Sequence, residues 1–144
     1  MKNQIFKDAN EKPRLFHWNG RIEREELINW FKIRKWNLTD EMIEFYCMTG
    51  GGEIFESETI LGLYSDQVFG DDLESMNKYY RNKGMPINWL LFHIGIKNSA
   101  LNMDTLEIIV FDSISFNIFN KYKTFSDWYI NFIREEYKER YNLK

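Results

Sequence analysis

Between Leu38 and Gly52 the chain reads LTDEMIEFYCMTGGG, and no other stretch restricts its fold as much. The Thr39 hydroxyl can accept a bond from an otherwise orphaned backbone N–H. Asp40 and Glu41 then fall at the positive end of a helix dipole. Met42, Phe45, Tyr46 and Thr49 recur at the spacing of one helix face, with Ile43 at its edge. Gly50 can take the left-handed conformation that closes a helix. Beyond the glycines, Glu53, Ile54 and Phe55 change to the two-residue period of extended chain. A short amphipathic helix must therefore stop sharply and pass directly into a strand.

The same reading extends along the chain. Met1 to Arg14 is polar and is expected to be a loose arm. Leu15, Phe16 and Trp18, ahead of Asn19-Gly20, could form a strand entering a tight turn. They could equally be an apolar lead-in to the first helix, which is the reading preferred here. From Ile22 or Glu23 to Lys35, Leu27, Ile28, Trp30 and Phe31 form a helical stripe, with Glu23, Glu25 and Glu26 in its first turn.

Ile54–Phe55 and Thr59–Leu63 are short strand candidates. Asp71 and Asp72 are placed to start a helix carrying Leu73, Met76, Tyr79 and Tyr80, which Gly84 and Pro86 terminate. Along Trp89 to Ile96, alternation puts Trp89, Leu91 and His93 on one face and Leu90, Phe92, Ile94 and Ile96 on the other. Both faces are largely apolar, as in a central strand covered on each side. Ser99–Met103 and Leu106–Asp112 read as a hairpin, and Ile114–Phe119 as a further strand. Phe125, Trp128, Tyr129, Phe132 and Ile133 follow the rule for a core-facing helix, capped by Thr124. The charged segment after Ile133 is expected to fray into solvent. Helices flanking a run of strands give an α+β class.

At 144 residues the chain fits one domain, 1–144, able to bury about 68% of its unfolded surface. Phe, Tyr and Trp make up 17% of it, so many aromatic rings must be inside. Cys47 is the only cysteine, which excludes an internal disulfide and suits a reducing compartment. The first residues contain no apolar stretch of signal-peptide type, and no apolar run approaches a membrane span. A cytoplasmic protein without membrane association is expected. The net charge of −3 argues against direct nucleic-acid binding, which rests on concentrated Lys and Arg, and it suits a basic protein partner.

Candidate chemistry is sparse. The glycines at 50–52 lack the preceding strand and following Gly-Lys-Ser/Thr of a phosphate loop, and they read as a cap and turn. His17 and His93 are the only histidines. They have no cluster of further ligands at metal-binding spacing, so no metal or other cofactor is expected. His93, amid an aromatic strand, reads as a packed, hydrogen-bonded residue. Cys47 lies near a helix C-terminus, where the dipole opposes a reactive thiolate.

Asp66, Asp71, Asp72 and Glu74 form the densest acidic group, without the spacing of a calcium loop. They can cap a helix, or they can offer an acidic patch to a basic partner. Tyr79, Tyr80 and Arg81 follow, residue types that protein interfaces favour. Consecutive helical residues point about 100° apart, so both tyrosines are not expected to be buried. These seven residues are the candidate protein interface, and no catalytic set can be named.

The capped helix, the Thr49-Gly50-Gly51 turn and the strand after it resemble the signature of the SUKH superfamily. That superfamily includes the fungal Smi/Knr cell-wall-synthesis regulators and many bacterial immunity proteins. Leu38-Thr39 stands where the family has Leu-Pro, and Thr49-Gly50-Gly51 where it has Asn-Gly-Gly. The resemblance continues in order through Leu61–Leu63, Asn77, PINWLLFHIGI (86–96), Glu107–Asp112 and TFSDWYINFI (124–133). It covers most of the chain, from Ile22 to Tyr141. It implies a mostly antiparallel central sheet with N-terminal helices and a C-terminal helix packed on it. It also implies a non-enzymatic protein that neutralises a cognate nuclease- or deaminase-type toxin. The alternative it offers is a regulatory interaction module tied to cell-wall and glucan synthesis.

Overall fold

Seven short strands form one antiparallel sheet in the computed structural model, which describes residues 3–64 and 71–144. Their order in the sheet is their order in the chain: β1 (Phe16–Trp18), β2 (Gly52–Ile54), β3 (Glu58–Ile60), β4 (Trp89–Ile94), β5 (Asn98–Asn102), β6 (Ile108–Phe111) and β7 (Ile118–Tyr122). Helices α1 (Gln4–Glu11), α2 (Arg24–Ile33), α3 (Asp40–Thr49) and α4 (Leu73–Asn82) precede or connect the strands. The chain closes with a helical run of α5 (Phe125–Trp128), a π-helical turn (Tyr129–Ile133) and α6 (Arg134–Tyr137). The expected α+β class is observed. No helix among the described residues is long and apolar enough to cross a membrane.

The segment that most constrained the fold behaves as its residues dictate. Thr39 Oγ1 accepts the Met42 N–H at 3.2 Å, and the Gly50 N–H closes the helix on the Tyr46 carbonyl. Gly50 is left-handed at φ 69°, and a Cβ added there would overlap the carbonyl oxygen of Gly20. Both strain and overlap oppose a side chain. Gly50→Ala is expected to cost roughly 1–3 kcal/mol in urea unfolding, and a variant as stable as the parent would contradict this reading of the turn.

Three sequence expectations are corrected. The residues expected as a loose arm form α1, because Asn3 caps it and both Ile5 and Asp8 are buried. Asp8 accepts hydrogen bonds from the Tyr129 hydroxyl at 2.6 Å and from Arg134 Nε at 2.9 Å. Those partners lie over 120 positions away, so local polarity gave no sign of them. Phe16–Trp18 is a strand rather than a lead-in to α2, paired with Gly52–Ile54. The segment after Ile133 does not fray. Tyr137 is buried, with its ring stacked 4.9 Å from that of Phe55.

The central strand also departs from simple alternation. Leu91 pairs with Ala100 and His93 with Ser99, so one residue is gained at Phe92. Such a bulge breaks the two-residue period. Phe92 and His93, expected on opposite faces, both pack against Trp128 at 5.0 and 5.2 Å between ring centres. Ile96 lies beyond the strand and is exposed. The strand expected at Ile114–Phe119 begins at Ile118, because Asp112 spends its carboxylate on the N–H groups of Ile114 and Ser115 and makes a turn. On α4, buried Asn77 exchanges hydrogen bonds with the main chain of Leu91, fixing the helix to β4.

Candidate protein-binding surface

The residues singled out as an interface fall on α4 and its approach, and the fold divides them. Asp66 lies outside the described residues. Asp72 is the N-cap of α4. Its carboxylate accepts the Ser75 N–H at 2.9 Å and the Ser75 hydroxyl at 2.8 Å, and the residue is buried. It is therefore corrected from docking residue to cap. Asp71 is half-buried, and Glu74 is exposed but paired with Arg34 at 2.6 Å.

Arg81 is also corrected. It is half-buried, and its Nη2 donates to the carbonyls of Ile87 and Trp89 at 3.2 and 3.1 Å. Its guanidinium lies 5.4 Å from the Trp36 ring centre, and burial lowers its pKa from the ordinary value. These contacts hold α4 against the β4 entry and the end of α2. The remaining exposed charges of this helix region include Lys78 and Lys83, so the surface is acidic only toward Asp71 and Glu74.

The two tyrosines separate as helical geometry requires. Tyr79 is 50% exposed, and Tyr80 is half-buried with its ring edge-on to Tyr79 at 5.1 Å. Lys83 Nζ sits 5.2 Å from the Tyr79 ring centre. Across from them, Ile114 at the β6–β7 turn is 87% exposed. Tyr79, Tyr80, Lys83, Ser113 and Ile114 line a shallow groove of about 320 Å³. Sequence reasoning missed Ile114, which it placed in a strand, and the Trp30/Trp36 cluster beside α4. In that cluster the Arg34 guanidinium lies 3.7 Å over the Trp30 ring. The sequence signal available was the density of Trp and Arg between residues 30 and 36.

A second polar constellation was legible only in His93, which is packed and hydrogen-bonded as expected. His93 Nδ1 lies 2.8 Å from Ser99 Oγ, and its Nε2 lies 2.8 Å from Glu58 Oε1. The Trp128 indole N–H donates to Ser99 Oγ at 2.8 Å, and the Tyr137 hydroxyl donates to Glu58 Oε2 at 2.6 Å. Neutral His93 protonated on Nε2 satisfies every partner: Nε2–H donates to Glu58, and Nδ1 accepts from the Ser99 hydroxyl. Burial lowers the His93 pKa despite the Glu58 carboxylate. Burial pulls Glu58 upward, but hydrogen bonds from His93 and Tyr137 together outweigh it and leave the carboxyl below its ordinary value. Burial and the Glu58 bond push the Tyr137 hydroxyl up to about 12, so it remains a donor.

A serine, a histidine and a carboxylate in hydrogen-bonded sequence have the form of a nucleophile relay. Here Ser99 and His93 have no exposed surface and Glu58 only 1%. A substrate could not reach the serine oxygen, whose approach is filled by the Trp128 indole. The arrangement is a core network.

Cys47 borders a larger open cleft of about 740 Å³ that also exposes Arg21, Arg24, Glu23 and Glu26. Burial raises its thiol pKa, only partly offset by Arg24, which disfavours thiolate chemistry. Among the described residues, no group of three or more His, Cys, Asp or Glu is placed to hold a metal ion. No model of a known protein family matches the chain, and no curated protein sequence matches it.

Proposed function

We propose that this chain is a non-enzymatic protein-binding domain that acts in the cytoplasm by occluding a partner. Its docking surface is the groove between the outer side of α4 and the β6–β7 turn. The observation that carries the reading is the pairing of Tyr79 with Ile114. Two large apolar side chains from distant parts of the chain stand exposed across one groove, backed by half-buried Tyr80. Aromatic residues exposed beside a shallow recess are the composition of interface hot spots. The closure of the Ser99–His93–Glu58 network supports binding over catalysis.

The SUKH resemblance adds the identity of the partner: a toxin domain of nuclease or deaminase type, with a basic surface. Asp71 and Glu74, at the start of α4, then speed encounter with positive charge, while Tyr79 sets how long the complex lasts. The test is surface-capture kinetics against the toxin domain encoded beside this gene. Tyr79→Ala is expected to raise the dissociation rate by tenfold or more, on the order of a hot-spot loss. Asp71→Lys is expected to slow association at low salt with little effect at high salt. An unchanged dissociation rate in Tyr79→Ala would place the interface elsewhere. Absence of any complex, together with failure to protect cells expressing the toxin, would remove the neutralising role itself.

A further inference from the structure

The meander leaves two open sheet edges, and they differ in size and charge. β1 has three residues, beginning with buried Phe16. β7 has five, and all from Ile118 to Lys121 are exposed. Ile118 and Phe119 put apolar surface along that edge, where, among the described residues, the strand main chain has no partner beyond β6.

The exposed charged residues of β7 and the segment just after it are lysines. Lys121 belongs to the strand, Lys123 follows it, and Lys97 Nζ lies 4.8 Å from the Phe119 ring centre. None of the ion pairs among the described residues involves these lysines. The carboxylate of Asp112 is occupied by the N–H groups of Ile114 and Ser115 and by the Ser115 hydroxyl. By register, Glu107 stands beside Lys123, one step before the Ile108–Tyr122 pair. Among the described residues, Lys97 and Lys121 are thus left without a carboxylate partner, in a chain whose net charge is −3.

We propose that β7 is a docking edge for an extended segment of another protein that alternates apolar and acidic residues. The lysines decide the occupant. A second copy pairing antiparallel about Asn120 would set Phe119 against Lys121 twice and gather the lysines of both copies, which like-charge repulsion opposes. Lysine on an edge strand excludes self-pairing in this way. An acidic strand reverses the sign of that term. Its carboxylates fall on the face that carries Phe119 and Lys121 and meet Lys121 and Lys97, its apolar side chains fall on the other face with Ile118 and Tyr122, and its main chain continues the ladder. The bulge in the β6–β7 register leaves Phe119 without a partner on β6, which is where its ring meets Lys97. This inference is independent of the α4 surface and of the toxin reading.

The test uses the whole chain and capped seven-residue peptides alternating valine with glutamate or valine with lysine. Fluorescence anisotropy and amide hydrogen exchange are the readouts. The Val–Glu peptide is expected to bind saturably and to protect the amides of Ile118–Tyr122. The Val–Lys peptide should bind at least roughly tenfold more weakly. A backbone N-methylated Val–Glu peptide, unable to extend the ladder, should lose binding to the same degree. Lys97→Glu with Lys121→Glu should reverse the peptide preference while its circular dichroism melt still shows a folded chain. If that pair does not fold, Lys121→Gln replaces it, with weakened Val–Glu binding expected. Equal binding of the two unmethylated peptides, indifference to N-methylation, or no saturable binding at millimolar peptide overturns the proposal. So does concentration-dependent protection of β7 without peptide, which would assign the edge to a second copy.

Discussion

Trp128→Ala is expected to remove about 3–5 kcal/mol of stability, the range for truncating a large buried aromatic residue. The indole has no exposed surface and packs on Phe92, Phe125 and His93 with ring centres 5.0–5.2 Å apart. It also supplies the N–H that Ser99 Oγ accepts at 2.8 Å. Alanine leaves both a cavity and a buried hydroxyl oxygen without its donor. Trp128→Phe keeps much of the packing but not the donor, so a smaller loss of roughly 1–3 kcal/mol is expected. Urea unfolding followed by far-ultraviolet circular dichroism measures both. A loss below about 1 kcal/mol for the alanine variant would mean that the helix does not rest on the sheet through this ring.

The second large effect lies in Glu58, whose two oxygens receive His93 and Tyr137. Glu58→Ala is expected to cost about 2–5 kcal/mol, since it leaves the His93 N–H and the Tyr137 O–H in the core without their acceptor. Glu58→Gln can still accept one bond and should cost much less. The same network makes stability depend on pH, and both groups act in one direction. The His93 pKa lies below its ordinary 6.5 in the folded chain, so the unfolded chain binds the proton more readily. That contribution is complete above 6.5 and is lost as pH falls below it. Glu58 lies below its ordinary 4.5, so its contribution is present above that value and is lost on further acidification.

The melting temperature is therefore expected to be flat between about pH 7 and 9, to fall as pH drops below 6.5, and to fall further below 4.5. His93→Gln should flatten the upper fall and leave the lower one. The other histidine, His17, is exposed on β1, which makes His93 the residue under test. An upper fall that persists unchanged in His93→Gln would separate acid sensitivity from this network.

Much of the fold was legible because it rests on local rules. The start and end of α3 follow from Thr39 and Gly50, the start of α4 from Asp72, and the apolar stripe of the last helix from Phe125 through Ile133. Each of these requires only that neighbouring residues satisfy one another. The candidate site was legible in part. Helical spacing correctly separated an outward tyrosine from an inward one, but it could not tell which of Tyr79 and Tyr80 was which. It also could not show that Arg81 would be taken up by the carbonyls of Ile87 and Trp89.

By itself, the sequence determined the α+β class, the capped helix with its glycine stop, the buried central strand and the helix that closes the chain. Periodicity and capping are properties of adjacent residues, and they survive without knowledge of the rest. Only the tertiary structure decided that Asp8, in a polar segment, is buried against Tyr129 and Arg134, and that Glu58 accepts from His93 and Tyr137. The same holds for Ile114, which stands across a groove from Tyr79. In each case a polar or exposed-looking residue is matched by partners tens of positions away. Burying a carboxylate is unfavourable until those partners arrive, so its placement is fixed by the assembled core and not by its neighbours in the chain.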